Sequence, residues 1–322
     1  MDLTVAICMY NAAKYVEETL ECLMNQTRQD FKLLIVNDCS TDNSASLVEQ
    51  FFEKHPRQYE LINLPQNGGL AAGRRYVEEH TSTKYLLFVD ADDCPLPKFV
   101  ERLYETISSD KDLIAVGCHL SYINSESTKI SGGMYLGATT KEEFRKKAEA
   151  GKFIFMVSAS IYDRDVALSV GGHNIEGFPE GKPRYQDYCE DLDLWTRMSD
   201  FYKDGKALIV IPEILYQYRK HEQAMSTNSI GMALRMRHIK TNVKRRRKGE
   251  KDRTFIEFME WLPKEEYAKI VKEAKASDAF RNCFYSLRKG KLIAGVKNLY
   301  ICLKNRPGYI FDKIKHNLLR IK

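Results

Sequence analysis

The chain has 322 residues, 43% of them apolar and 29% charged, with a net charge of +6, which suits a soluble globular protein of one large domain and a smaller one. No apolar run approaches the roughly 20 residues that span a bilayer, and Met1-Asp-Leu-Thr-Val enters a strand with no basic leader, so a cytoplasmic protein or one peripheral on the inner face of the membrane is expected. The eight cysteines form no Cys-x-x-Cys pair, which argues against zinc and against a disulfide framework and predicts reduced, mostly buried thiols.

The first half alternates strands and helices. Leu3 to Cys8 reads as a strand, and Val16, Leu20, Leu23 and Met24 mark a helix within 13–26. Phe31 to Val36 is a second strand, followed by a turn cluster in which Ser40 or Asp42 caps a helix running through Phe51. A strand over 59–64, a turn at Asn67-Gly68-Gly69, a helix over 70–79 and a strand over 85–89 complete the rhythm. Apolar strands joined by helices predict a mostly parallel sheet covered on both faces, with ligands at the carboxyl ends of its strands. Asp38 and Asp90 both fall at such ends.

The middle is less regular. A helix over 99–108, a strand over 113–118, a polar loop or hairpin over 121–139 and a strand-like run over 153–162 precede Glu190-Asp191-Leu-Asp-Leu-Trp195-Thr-Arg197, which opens a helix. Another strand covers 207–212. From 229 onward apolar residues recur at helical spacing, broken near Gly249, Pro263, Gly290 and Pro307, so an all-helical region is expected. Charge is split as well: residues 230–322 carry 25 Lys and Arg against 9 Asp and Glu, a net of +16, leaving −10 for the rest. The basic run Lys244 to Lys248 suits anionic lipid, packing on the acidic catalytic domain or on a second subunit, or a solvated face over helical core; no nucleic-acid module is recognisable.

The densest chemical signal is Lys84-Tyr-Leu-Leu-Phe-Val-Asp90-Ala-Asp92-Asp93, an apolar strand ending in three carboxylates within four positions. Like charges so close repel unless a cation or ligand offsets them, which points to a divalent-metal site; a solvated acidic turn is the alternative. Together with Val5-Ala-Ile-Cys-Met-Tyr10-Asn11, Ile35-Val-Asn-Asp38-Cys-Ser40-Thr-Asp42, Asn67-Gly-Gly-Leu-Ala-Ala-Gly-Arg74, Glu190-Asp191-Leu-Asp-Leu-Trp and Tyr218-Arg219-Lys-His221, this segment resembles glycosyltransferase family 2, over about the first 228 residues. Those enzymes are inverting nucleotide-sugar transferases with a GT-A fold.

The resemblance implies an α/β, Rossmann-like, mostly parallel sheet flanked by helices, with a C-terminal helical extension. A catalytic domain would span 1–228, its nucleotide-binding half 1–93 and its acceptor-binding half 94–228, ahead of the basic helical region 229–322. Asp90-Ala-Asp92 corresponds to the family's Asp-X-Asp motif, so Asp92 would ligate Mn²⁺ or Mg²⁺ on the donor diphosphate, Asp90 would face the ribose and Asp93 would touch the sugar or acceptor. Asp38 would accept from the base, Tyr10 would stack on it, and Asn11 would serve the donor or cap a helix, as would Asp42. Arg74 would contact the diphosphate or ribose, unless it is a solvated helix residue. Asp191 would be the base that deprotonates the acceptor, with Glu190 orienting it, although acids at a helix start also favour the helix dipole. Trp195 and Arg197 read as structural. Arg219 and His221 would supply positive charge or a metal-ligating imidazole, and Ser226 would extend that loop.

Met9 stands where the family often has proline, and no Gln-x-x-Arg-Trp segment follows the Glu-Asp pair, which argues against processive synthesis. The implied activity is transfer of a hexose or N-acetylhexosamine from a UDP-sugar to a glycan, lipid-linked or glycoprotein acceptor in cell-surface glycan biosynthesis. A sugar nucleotidyltransferase of similar architecture, or a non-catalytic scaffold with this fold, are the alternatives. The basic C-terminal helices would meet an anionic membrane surface or mediate self-association.

Overall fold

A computed structural model describes residues 1–221, 228–288 and 290–312, with the backbone alone for Arg288; the expectation for Ser226 lies outside the described residues. Strands β1 (Leu3–Met9), β2 (Lys32–Asn37), β3 (Glu60–Asn63) and β4 (Tyr85–Phe88) alternate with helices α1 (Val16–Met24), α2 (Ser44–Lys54) and α3 (Leu70–His80). Then come β5 (Cys94–Pro95), α4 (Phe99–Ser109), β6 (Leu113–Ile123), β7 (Lys129–Met134), α5 (Lys141–Glu149), β8 (Ile161–Asp163), α6 (Arg164–Ser169), α7 (Glu190–Met198) and β9 (Ala207–Arg219). Helices α8 (Ser229–Arg246), α9 (Phe255–Trp261), α10 (Lys264–Arg288) and α11 (Leu292–Asn305) follow.

The strands form one sheet in the order β3-β2-β1-β4-β8-β6-β9-β5, with β7 added to β6. Its first half, β3 to β4, is parallel; β8 enters antiparallel to β4 and β6, and β9 runs parallel to β6. Strand β1 is buried on both faces apart from Cys8, as expected where helices cover both sides, and each such Leu or Ile contributes roughly 1.5–3 kcal/mol by leaving water. Because the chain goes from β1 outward to β2 and β3 and then returns to the other side of β1 for β4, the order reverses between β1 and β4. At such a reversal the ligand crevice of a parallel sheet lies outside the carboxyl ends; Tyr10 follows β1 directly and Asp90 stands two residues beyond β4.

Contacts divide the chain into two compact units. The first comprises Met1–Glu176, Cys189–His221 and Val243–Glu250 and contains every described strand. The second comprises Gly177–Tyr188, Glu222–Asn242 and Lys251–Lys322. Within the second, Leu234, Phe255, Phe258 and Leu262 form a small core, and Thr254 with Glu257 makes a capping box that starts α9.

Three differences from the sequence reading bear on the site. The run 153–162 is a strand only over its last residues; Ile154, Met156, Val157 and Ala159 are buried but irregular, so apolar content there reflects burial rather than pairing. In the Lys244 to Lys248 run the two lysines are exposed, but the three arginines are engaged. Within the first unit Arg246 and Arg247 both pair with Asp200, Arg247 donates to the Ala148 carbonyl, and Arg245 pairs with Glu250 at 2.8 Å. For the arginines of that run, packing on an acidic residue of the first unit is what the structure shows.

Finally, Cys22 and Cys94, expected as thiols, form a disulfide that ties α1 to β5; Cys8, Cys39, Cys118, Cys189, Cys283 and Cys302 are free. A pair 72 residues apart carries no spacing signal, because only the packing of α1 beside β5 brings it together. Cross-linking a loop of this length restricts the unfolded chain, so reduction should lower stability by about 2–4 kcal/mol, read from urea unfolding with and without reductant. Equal midpoints under both conditions, with six thiols titrating before reduction and eight after, would contradict that expectation.

Candidate active site

The crevice is framed by three loops held in a fixed relation. Asn11 and Cys39, just beyond β1 and β2, and Cys189, just before α7, all have positive φ, a conformation that costs energy for non-glycine residues and persists only where the surroundings impose it. The first two loops brace each other. The Thr41 N–H donates to Asn11 Oδ1 at 2.8 Å, the Asn11 N–H donates to Ser40 Oγ at 3.0 Å, and the Ala13 N–H donates to Asp42 Oδ2 at 3.1 Å. Asp42 also accepts from the Ser44 N–H at the start of α2, but the cap position is Asn43, whose side chain makes no capping bond, and Ser40 serves the other loop. Tyr10 stands at this rim, 49% exposed and open to a planar ligand.

Asp38 is 4% exposed. Its carboxylate accepts from the Gly68 and Gly69 N–H groups at 2.7 and 2.8 Å and from the Asn67 amide at 2.9 Å, so it holds the start of α3 against the end of β2. Gly69, at φ 93°, makes that turn possible. A base contact by Asp38 must therefore share oxygens already used internally.

Arg74, one turn into α3, is 1% exposed. Its guanidinium donates to Asp90 Oδ1 and to Glu190 Oε1, each at 2.8 Å, and lies 5.3 Å from the centre of the Phe88 ring. Two motifs a hundred residues apart in sequence thus meet on one buried cation. Asp90 also accepts from Ser158 Oγ at 3.0 Å, and its N–H donates to the Tyr216 hydroxyl at 3.1 Å. Arg74 is therefore neither a solvated helix residue nor an exposed phosphate ligand: three neighbouring carboxylates hold its charge in place.

Asp92 and His221 come together, with Nε2 of His221 2.8 Å from Asp92 Oδ2 and both side chains partly exposed. Asp93 and Arg219 turn inward. Asp93 is fully buried, and its Oδ1 accepts from the Arg219 N–H at 2.8 Å, which ties the two loops together. Burial and the charges of Asp92 and Asp90 push its carboxyl well above the usual carboxylate value. Arg219, 1% exposed, donates from Nε to the Asp92 carbonyl at 2.6 Å, from Nη1 to Ser127 Oγ at 2.8 Å and from Nη2 to Glu18 at 2.7 Å, and lies over Tyr15. All three guanidinium nitrogens are thus engaged within the protein, so the side chain braces the Asp92 loop while its positive charge stays beside it. The sequence offered no signal for Glu18, Ser127, Ser158 or Tyr216, because each reaches the site only through tertiary packing.

Among the described residues no three His, Cys, Asp or Glu side chains gather as a ready-made cation cage. The donor set nevertheless fits a divalent ion shared with a diphosphate: Asp92 and His221 offer one carboxylate and one imidazole, and phosphate oxygens and water would complete the shell.

Glu190 and Asp191 begin α7. Glu190 is buried beside Arg74, and burial raises its carboxyl to about 8 against the opposing pull of that arginine. Asp191 is partly accessible; burial raises its pKa also, Arg74 lowers it, and its Oδ1 accepts from the Leu192 N–H at 2.7 Å. Behind them Glu78, His173 and Tyr162 form a buried cluster, in which Glu78 accepts from the Tyr162 hydroxyl at 2.9 Å and from the His173 N–H at 2.8 Å. Trp195 packs against Tyr162, and Arg197 pairs with Asp193 at 3.0 Å and donates to the Gly172 carbonyl, so both are structural as their positions on α7 suggested.

A sequence profile of the family described as Glycosyl transferase family 2 matches residues 4–169. The teichoic acid poly(glycerol phosphate) polymerase of Staphylococcus epidermidis is 31% identical over 202 residues, which is 62% of this chain and 27% of that protein. The chain thus spans about a quarter of that relative's length. Among solved structures, residues 1–349 of S. aureus TarS in complex with UDP-GlcNAc superpose with a TM-score of 0.56 at 16% identity, covering 96% of this chain and 92% of that one. The mannosyltransferase PcManGT from Pyrobaculum calidifontis, in complex with GDP-Man and Mn²⁺, gives 0.57 at 17% identity, covering 97% and 88%. These likenesses show the GT-A fold.

Proposed function

Because this chain belongs to glycosyltransferase family 2, we propose that it is a glycosyltransferase that moves a hexose or N-acetylhexosamine from a UDP-sugar to a hydroxyl acceptor with inversion at the anomeric carbon. The observation that carries this reading is the Arg74 bridge, which joins the Asp90-Ala-Asp92 segment to the Glu190-Asp191 pair in one crevice. Donor and acceptor chemistry need that proximity, since the base must act on one face of the sugar while the nucleotide departs from the other.

In this reading Tyr10 stacks on the base, Asp38 frames the base pocket and accepts from the base edge, Asn11 braces that loop, and Asp90 orients the ribose from the Arg74 fork. Asp92 and His221 would hold Mn²⁺ or Mg²⁺, which supplies positive charge to the leaving diphosphate. Asp93 and Arg219 keep the Asp92 loop in shape. Asp191 removes the acceptor proton as its oxygen attacks, and Glu190 fixes the start of α7. The catalytic work belongs to 1–228; the Mn²⁺ complex of PcManGT and the UDP-GlcNAc complex of TarS support the donor and metal classes.

Release of nucleotide from a panel of UDP- and GDP-sugars, with and without Mn²⁺, tests this. Metal-dependent release of UDP is expected, and pyrophosphate release would favour a nucleotidyltransferase instead. Asp92→Ala should weaken metal-dependent UDP binding by at least about tenfold, since a charged ligand contact contributes roughly 1.5–3 kcal/mol; undiminished binding would remove Asp92 from the metal shell.

A further inference from the structure

We propose that the outer face of the α10–α11 hairpin is a docking surface for an anionic lipid bilayer. Among the described residues no helix is long and apolar enough to cross a membrane, so the contact would lie on the surface. The two helices pack through Ala276, Ala279 and Cys302, with Tyr309 beyond α11 joining the cluster. Their other side is left open: Ile293 is 88% exposed, Leu292 68% and Tyr300 65%, and Val296, Leu303 and Phe284 are exposed with them. Residues 293, 296, 300 and 303 recur at intervals of three and four, which places them in one stripe along α11. Scattered exposed apolar residues are ordinary, but a continuous stripe on a soluble chain marks an interaction site.

Charge selects the occupant. From Arg281 to Arg306 the sequence has seven Lys or Arg and no Asp or Glu. Arg281 and Arg306 pair with Asp278 and Asp312, but Lys291, Lys297 and Lys304 have no acidic partner among the described residues. Lys297 and Lys304 follow Val296 and Leu303 directly, so they project beside the stripe, where lipid phosphates would meet them while the apolar side chains enter the acyl boundary. A second copy of the chain fits less well. A two-fold contact would set the same cations against each other, and 14 residues provide two heptads where stable coiled coils use more. The proposal moves the lipid contact from the Lys244 to Lys248 run, whose arginines are engaged within the first unit, to the hairpin, and it is independent of the donor assignment.

The test is flotation of the full chain with vesicles of phosphatidylcholine alone or with one-third phosphatidylglycerol, at low and high ionic strength. Binding is expected to the anionic vesicles only and should weaken with salt. Lys291→Ala/Lys297→Ala/Lys304→Ala should reduce it on the order of a hundredfold, and Ile293→Ser/Val296→Ser/Tyr300→Ser at least about tenfold, with thermal unfolding and vesicle-free donor turnover unchanged. Both variants alter exposed side chains, so the lysine set remains informative if the serine set folds poorly. Equal binding to both vesicle types, parental binding by either variant, or a serine variant that changes only from dimer to monomer would overturn the proposal, the last in favour of self-association.

Discussion

Asp191→Asn should lower kcat for sugar transfer by about 10²–10⁴ while leaving UDP binding intact, because general-base assistance contributes on that scale and asparagine cannot accept the acceptor's proton. The position favours this outcome. Asp191 is the partly accessible member of the pair at the start of α7, whereas Glu190 is buried against Arg74. Its raised pKa gives a second signature. Activity that needs the ionised carboxylate is lost as pH falls through that pKa, so the acid limb of the kcat/KM profile should lie above the ordinary carboxylate range, and should vanish in Asp191→Asn. Transfer at the parental rate by this variant would end the assignment of Asp191 as base.

Arg74→Met should have the largest effect on stability. The methionine roughly preserves volume but leaves Asp90 and Glu190 facing each other without the cation between them, and removing one partner of a buried ion pair typically costs about 3–5 kcal/mol. Destabilisation alone would describe any buried arginine, so the pH profile separates positioning from packing. Arg74 lowers the pKa of both Glu190 and Asp191; without it both rise, and the acid limb should move to higher pH. Arg74→Lys should restore the charge and part of that shift, but an ammonium cannot reproduce the planar fork that reaches two carboxylates at 2.8 Å each. A variant with reduced stability and an unmoved limb would make Arg74 a packing residue only.

The repeated strand-helix alternation up to Phe88 was legible because strands buried on both faces read as apolar runs and the helices carry their own period. Asp92 and His221 were legible as partners, and the structure brings them together at 2.8 Å. Arg74, Asp93 and Arg219 were named for their chemistry, which carried no information on their burial or on the internal partners they meet. A charged residue next to a motif looks like a ligand contact until burial shows that its hydrogen bonds go to the protein itself. The same holds for Arg245, Arg246 and Arg247, part of a basic patch by composition and members of internal ion pairs by contact.

Residue order determined the element sequence, the motif carboxylates at strand ends and the family, since these depend on local periodicity and on neighbours within a few positions. Which acids face a ligand and which support it was decided by packing between segments 70 to 130 residues apart: Arg74 with Glu190, Arg219 with Asp93, Cys22 with Cys94. The free energy of a buried charge depends on which partners surround it in space, and that arrangement exists only once the sheet has assembled.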